Sequence, residues 1–180
     1  AVHVLGLAGL WYMHTVHFNW ATVGLAVVLF LLCHLSITDG VHRLYAHRAF
    51  KAHRTYQVFH LLFFSATFQY SALAWAQMHR LHHWYTNTAR DPYCVLHGFW
   101  WAHCLWILRT PIRLDPKVIR ELRQNRFLRL QHKYHYRLAF TFGLGLPAGI
   151  AWMWGDFWGG LLVGGFTRLV GQYHTTWSIN

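Results

Sequence analysis

Two histidine clusters set the chemistry open to this sequence. One is His42-Arg43-Leu44-Tyr45-Ala46-His47; the other is His79-Arg80-Leu81-His82-His83. On a helix, positions i, i+3 and i+4 share a face, so His79, His82 and His83 can aim three imidazoles at one point. His42 and His47 are five apart and diverge on a regular helix. They can converge only near a helix end, where the backbone turns or another element supplies the angle. Imidazole is a good ligand for iron, copper and zinc. Five histidines exceed one tetrahedral zinc site, so two metals, or one metal with spectators, is the natural inference. A lone histidine such as His34, His60 or His132 reads instead as an interfacial or hydrogen-bonded residue. Cys33, Cys94 and Cys104 have no paired spacing, so they suggest neither a disulfide framework nor a zinc-type pair.

The elements that must position these clusters read as membrane helices. Of 180 residues, 55% are hydrophobic and only 12% charged, whereas a soluble domain spends about a quarter on charge. The formal charge of +11 does not point to nucleic acid, which needs a solvated basic surface; here the apolar residues form long uncharged blocks. Trp20 to Ile37 carries no formal charge and is long enough to span a bilayer core. The expected spans are about 1–13 (clipped by the chain start), 20–40, 138–155 and 157–179. Fifteen of the sixteen Lys and Arg residues lie between Arg43 and Arg137, the exception being Arg168. By the positive-inside rule, 42–137 faces the cytoplasm. The expected fold is therefore an all-α integral membrane protein. Its four transmembrane helices form two hairpins, and a cytoplasmic helical cap carries the histidines. The whole chain, 1–180, reads as one domain.

Two segments between the hairpins need separate treatment. Tyr56 to Trp75 is nearly as apolar as a span, yet a crossing there would put the two histidine clusters on opposite faces. If they share a site, it is interfacial, bent back, or packed over the site. Asp115-Pro116 has the form of a helix start. With Arg120, Arg123, Arg126 and Arg129 at threes, the following stretch predicts one amphipathic helix on the membrane surface.

The residues also carry a family resemblance. Leu35 through Lys51 resembles the first histidine box of membrane fatty-acyl desaturases, and the stearoyl-CoA desaturase group in particular. Phe68-Gln69, Trp75-Ala76, His79 to His83 and Asp91-Pro92-Tyr93 resemble the second box with its flanks. Gly98 to His103 and Thr176 to Asn180 resemble further family stretches, and the overall flavour is bacterial. The resemblance implies a di-iron enzyme that uses O2 and two electrons to place a cis double bond, delta-9 in type, in a saturated acyl chain. It implies two iron ions, with His42, His47, His79, His82 and His83 as ligands and Asn180 acting through a water. It implies Gln69, Trp75 and Thr176 at the bend of an acyl tunnel and His103 near its mouth. The implied partners are a fatty acyl substrate, O2, a ferredoxin or cytochrome b-type electron donor, and the lipid bilayer.

The family's remaining ligands would follow Asn180. The chain therefore reads as a piece of a larger desaturase, cut at both ends and inactive by itself. Gln77-Met78 and Tyr70-Ser71 replace residues that animal members place near the CoA head group, which leaves acyl-CoA, acyl-carrier-protein and acyl-lipid substrates open. Arg109, Arg113 and the Arg120–Arg129 face could receive a phosphate-bearing carrier or an acidic donor. Two rival readings stand beside the desaturase: a hydroxylase or monooxygenase of the same histidine-box superfamily, and a non-enzymatic metal transporter or haem protein.

Overall fold

The computed structural model describes residues 1–109 and 113–179; Asn180 and the Arg109 side chain lie outside that description. The described residues are helical, with no strand among them. Helix α1 (Val2–Thr15) is followed by α2 (Trp20–Leu35), whose first amides are capped by the Asn19 side chain. Without a break, α2 widens into a π-helix over Ser36–Ala46. At the junction the hydroxyls of Ser36 and Thr38 bond back to the carbonyls of Leu32 and His34. Such back-bonding competes with the α-ladder and bends it.

The apolar stretch 56–75 does not continue as one rod. Helix α3 (Arg54–Ser65) stops at a turn in which Phe68 and Tyr70 take left-handed backbone angles, φ 54 and φ 64. The chain then reverses into α4 (Ala72–Tyr85), capped by Ser71. The segment is thus of the bent-back kind, which lets the two histidine clusters meet. Its apolar face, with Leu61, Phe64, Ala72, Leu73 and Ala76, packs on Ile37, Val41 and Leu44 of the wide helix and on Val118, Ile119 and Leu122. This core lies directly behind the histidines.

The helix expected from Asp115 onward is broken. Residues 116–121 form turns, Leu122–Gln124 is a short 3-10 segment, and Asn125 caps a new helix, α6 (Arg126–Phe140), after the short α5 (Trp106–Arg109). The Asp115 side chain accepts from the Lys117 amide and its carbonyl from the Val118 amide, closing a single turn. Val118, Ile119 and Leu122 are drawn into the core, and Asn125, whose side chain accepts from the Phe127 and Leu128 amides, starts the helix anew. The Arg120, Arg123, Arg126 and Arg129 side chains remain exposed.

Helix α6 runs on through a widened turn, Thr141–Gly145, into α7 (Leu146–Trp152), so the helix is continuous over 126–152 and does not begin at 138. After a turn at Gly155, α8 (Phe157–Gly159), the wide segment Gly160–Thr167 and α9 (Arg168–Trp177) form another continuous helix. Helices α1, α2 and α7 pack around that last helix. The buried Asp156 ties their far ends, accepting from Tyr12 and Thr22 and from the Gly159 amide. By length and composition one helix among the described residues, Trp20–Ala46, is long and apolar enough to cross a membrane. The bundle exposes large apolar side chains outward, among them Val4, Leu7, Trp11, Leu31, Trp152 and Met153.

Candidate metal centre

His42 sits in the wide helix, and His47 is the residue that ends it. In an α-helix residues five apart point away from each other, but a π-helix closes i to i+5. Here the His47 amide donates to the His42 carbonyl at 2.9 Å, and the two rings come within 4.6 Å centroid to centroid. Arg48 then takes a left-handed angle, φ 53, and turns the chain away. Across from them, α4 presents His79 and His83, one helical turn apart. The His47 and His83 Nε2 atoms each lie 3.0 Å from the His79 Nε2. Ring centroids of His42 and His79 are 4.5 Å apart. One ring nitrogen from each of His42, His47, His79 and His83 falls within 4.8 Å of all the others.

These residues fit a metal ion. For a metal–imidazole bond of about 2.1 Å, adjacent ligands of an octahedral ion are roughly 3.0 Å apart and opposite ones roughly 4.2 Å. The group therefore already has nearly the needed size. A ligating histidine must also be neutral. Burial, reinforced by the charges that the neighbouring histidines would carry, pushes the His79 imidazole down to about 3. His83 is lowered for the same reasons. Trp75 stacks on the His79 ring at 4.9 Å and closes its inner side, whereas His47 and His83 are exposed. A polar cavity of about 310 Å³ reaches His47, His79 and His83 from that open side, lined also by Arg48, Lys117 and Glu121.

His82 does not join the four. Its Nδ1–H donates to the Oδ1 of buried Asp91 at 2.9 Å, and its ring stacks on Tyr93. Asp91 is itself held by the amides of Tyr93 and Asn87. A carboxylate on Nδ1 fixes the tautomer and leaves Nε2 as the ligand atom, the usual arrangement behind metal-binding histidines. The expectation that His79, His82 and His83 aim at one point therefore resolves into a pair that meets the first cluster and a third ring aimed separately. The helix face is shared, but position i+3 is rotated away from the i/i+4 line.

On the other side of His79 lies an apolar cavity of about 550 Å³, within the size range of small-molecule sites. Gln69, Trp75, Thr176 and His103 all line it, although they come from a turn and three separate helical segments. The Gln69 Nε2 donates to the Thr176 Oγ1 at 2.9 Å. His103 meets His174, and His174 meets His3, at 3.3 and 3.0 Å. His3 and His174 had no distinguishing spacing in the sequence, since their partner lies in a third helix. Asp91 and Arg80 were also not recognised as site residues. A carboxylate nine positions after His82 was the available signal for Asp91. Asn180 lies outside the described residues.

The sequence is similar to those of known desaturases. A probable acyl-CoA desaturase of Schizosaccharomyces pombe is 35% identical over 162 residues, covering 88% of this chain and 34% of that protein. A delta-9 fatty-acid desaturase of Caenorhabditis elegans is 34% identical over 190 residues, covering 100% of this chain and 56% of its own. An sn-1 stearoyl-lipid 9-desaturase of Anabaena variabilis is 31% identical over 167 residues, covering 91% and 59%. No family model matches the chain. The chain thus spans between about a third and three fifths of these relatives. Identity of about a third along nearly its whole length, with both histidine clusters inside the matched region, makes this chain a member of the fatty-acyl desaturase family.

Proposed function

We propose that this chain is the metal-binding and acyl-binding portion of a membrane enzyme that desaturates fatty acyl chains. The observation that carries this reading is the position of His79. It belongs to the four-imidazole group and also forms part of the wall of the apolar cavity. A saturated chain in that cavity would pass beside a metal at His79. The reaction converts –CH2–CH2– to –CH=CH–, with O2, two electrons and two protons giving two waters. An unactivated C–H bond offers no acidic proton, so acid–base catalysis cannot begin it. Bound iron supplies the activation of O2 that the side chains lack.

The protein's share is positioning. His42, His47, His79 and His83 would together hold one iron. His82, with its tautomer set by Asp91, would be a ligand of a second, and Asn180 would act through a water. The Trp75 ring covers the inner side of His79 and keeps water from it. The Gln69–Thr176 hydrogen bond joins α9 to the α3–α4 turn beside Trp75, which forces an acyl chain to bend there and selects the carbon presented. The delta-9 position and cis geometry follow if the bend lies at mid-chain. His103 stands at the mouth.

The four-span layout belongs to the same reading. Helices over 2–15, 20–46, 126–152 and 157–177 expose apolar side chains outward, and the confinement of most Lys and Arg to 43–137 supports a cytoplasmic side for the histidines. A ferredoxin or cytochrome b-type protein would deliver the electrons there. Purified full-length protein should hold about two irons per chain without haem absorbance, and should convert a stearoyl substrate to the cis-9 alkene. An alcohol product, or zinc in place of iron, would overturn the assignment.

A further inference from the structure

We infer that Arg80 is a positioning residue of the metal centre, setting the offset between the first histidine pair and the second. This rests on the metal reading above and concerns a side chain that touches no ligand atom. Arg80 follows His79 directly in α4, and its guanidinium is buried, 8% exposed. It turns away from the imidazoles and makes four hydrogen bonds. Nε donates to the Ala46 carbonyl at 3.0 Å and Nη2 to the Tyr45 carbonyl at 2.8 Å. Nη1 donates to the Val118 carbonyl at 2.8 Å and to Glu121 at 2.7 Å.

The choice of acceptors is the important point. Tyr45 and Ala46 are the last two residues of the wide helix, and the last carbonyls of any helix lack partners within it. A cation there also offsets the negative end of the helix dipole. His47 is the next residue. One guanidinium therefore ties the backbone that carries His47 to the helix that carries His79 and His83. It also ties both to the 118–121 segment, whose Val118 and Ile119 belong to the core behind the site. The planar fork suits this task, because its donors leave in fixed directions toward different acceptors. An ammonium could satisfy only some of them. Glu121 holds the guanidinium from the far side and is shared with Arg48, which is itself exposed.

The test uses full-length protein in detergent, stripped of metal and titrated with cobalt(II), whose visible absorption reports ligand geometry. Arg80→Lys, Arg80→Met and Arg48→Gln are compared with wild type, well below each variant's thermal midpoint. Arg80→Met is expected to bind cobalt about ten- to a hundredfold more weakly, the usual cost of losing an outer-shell partner. The spectrum of the loaded variant should be altered. Arg80→Lys should fall between, and Arg48→Gln should match wild type. If Arg80→Met does not fold, Arg80→Lys alone decides: a wild-type affinity and spectrum there overturns the inference. So does an Arg80→Met protein that is less stable yet loads normally with an unchanged spectrum, since that would be a purely structural role. Wild-type protein that takes up no cobalt removes the metal reading itself, and the inference with it.

Discussion

At His82 the decisive contact is a carboxylate nine residues further on. Asp91 accepts the Nδ1 proton and is held in place by two backbone amides. Replacing Asp91 with Asn removes the charge and keeps the shape. Metal titration of full-length Asp91→Asn should show the second equivalent weakened about ten- to a hundredfold, with the equivalent at the four-histidine group retained. Glu121 gives a pH-dependent case. Burial by itself would raise its carboxyl, but hydrogen bonding, Arg80's included, and the charges of Arg80 and Arg48 hold it below its ordinary value. A depressed acid stabilises the fold above its unfolded pKa, and that stabilisation is lost as pH falls through the folded value. The thermal midpoints of wild type and Glu121→Gln should therefore differ near neutrality. They should converge as the pH is lowered through and below the ordinary carboxylate range.

The element that makes the site possible is the wide helix over Ser36–Ala46. It brings residues five apart onto one line and so turns a diverging pair into a converging one. Its packing is tight at Gly40, where an added Cβ would stand 2.7 Å from the His60 Cβ. That approach also allows the hydrogen bond between His60 Nδ1 and Ser36 Oγ, 3.1 Å, beside the α-to-π junction. Gly40→Val should push α3 away from the wide helix and lower stability by about 1–3 kcal/mol, as overpacked cores do. Thermal unfolding of the purified variant checks the size. A midpoint equal to wild type would show that α3 does not pack as closely as Gly40 requires. The turn between α3 and α4 is the second deciding element, because without the reversal at Phe68 and Tyr70 the histidine pairs could not share a side.

Over the whole molecule, His79 lies between two cavities of opposite character. The larger is apolar and bounded by Trp75, Gln69 and Thr176; the smaller is polar and opens past His47 and His83. On the proposed function, this arrangement would separate a greasy substrate from the aqueous side. Thr176→Phe should fill the bend and break the Gln69 contact. Turnover of a long acyl substrate should fall at least about tenfold, the scale of misplaced reacting groups, while metal content stays unchanged. A loss of metal instead would move Thr176 into the metal site. The arginines of the 116–130 stretch are exposed. If an acidic electron donor docks there, Arg120→Glu with Arg123→Glu should lower turnover with the protein donor and leave iron content as it was. Equal turnover would exclude that face.

Much of this protein is legible in its residue order. Uncharged runs, the confinement of Lys and Arg to the middle, and H-x-x-H-H spacing are local or periodic signals. They point to helices throughout the described residues and to two histidine clusters, whereas the cavity residues and the family came from the resemblance of the motifs around them. Other features depend on partners far away in sequence. The π-helical register of His42 and His47 has no periodic signature. The break of the 116–130 helix falls at Asn125, which caps the next helix and is tied to Gln57 far away in sequence. The divergence of His82 depends on Asp91, and the clamp at Arg80 on carbonyls more than thirty residues away. Spacing along a chain specifies which side chains can share a face. Only the packing of several elements specifies which of them meet, and at what distance.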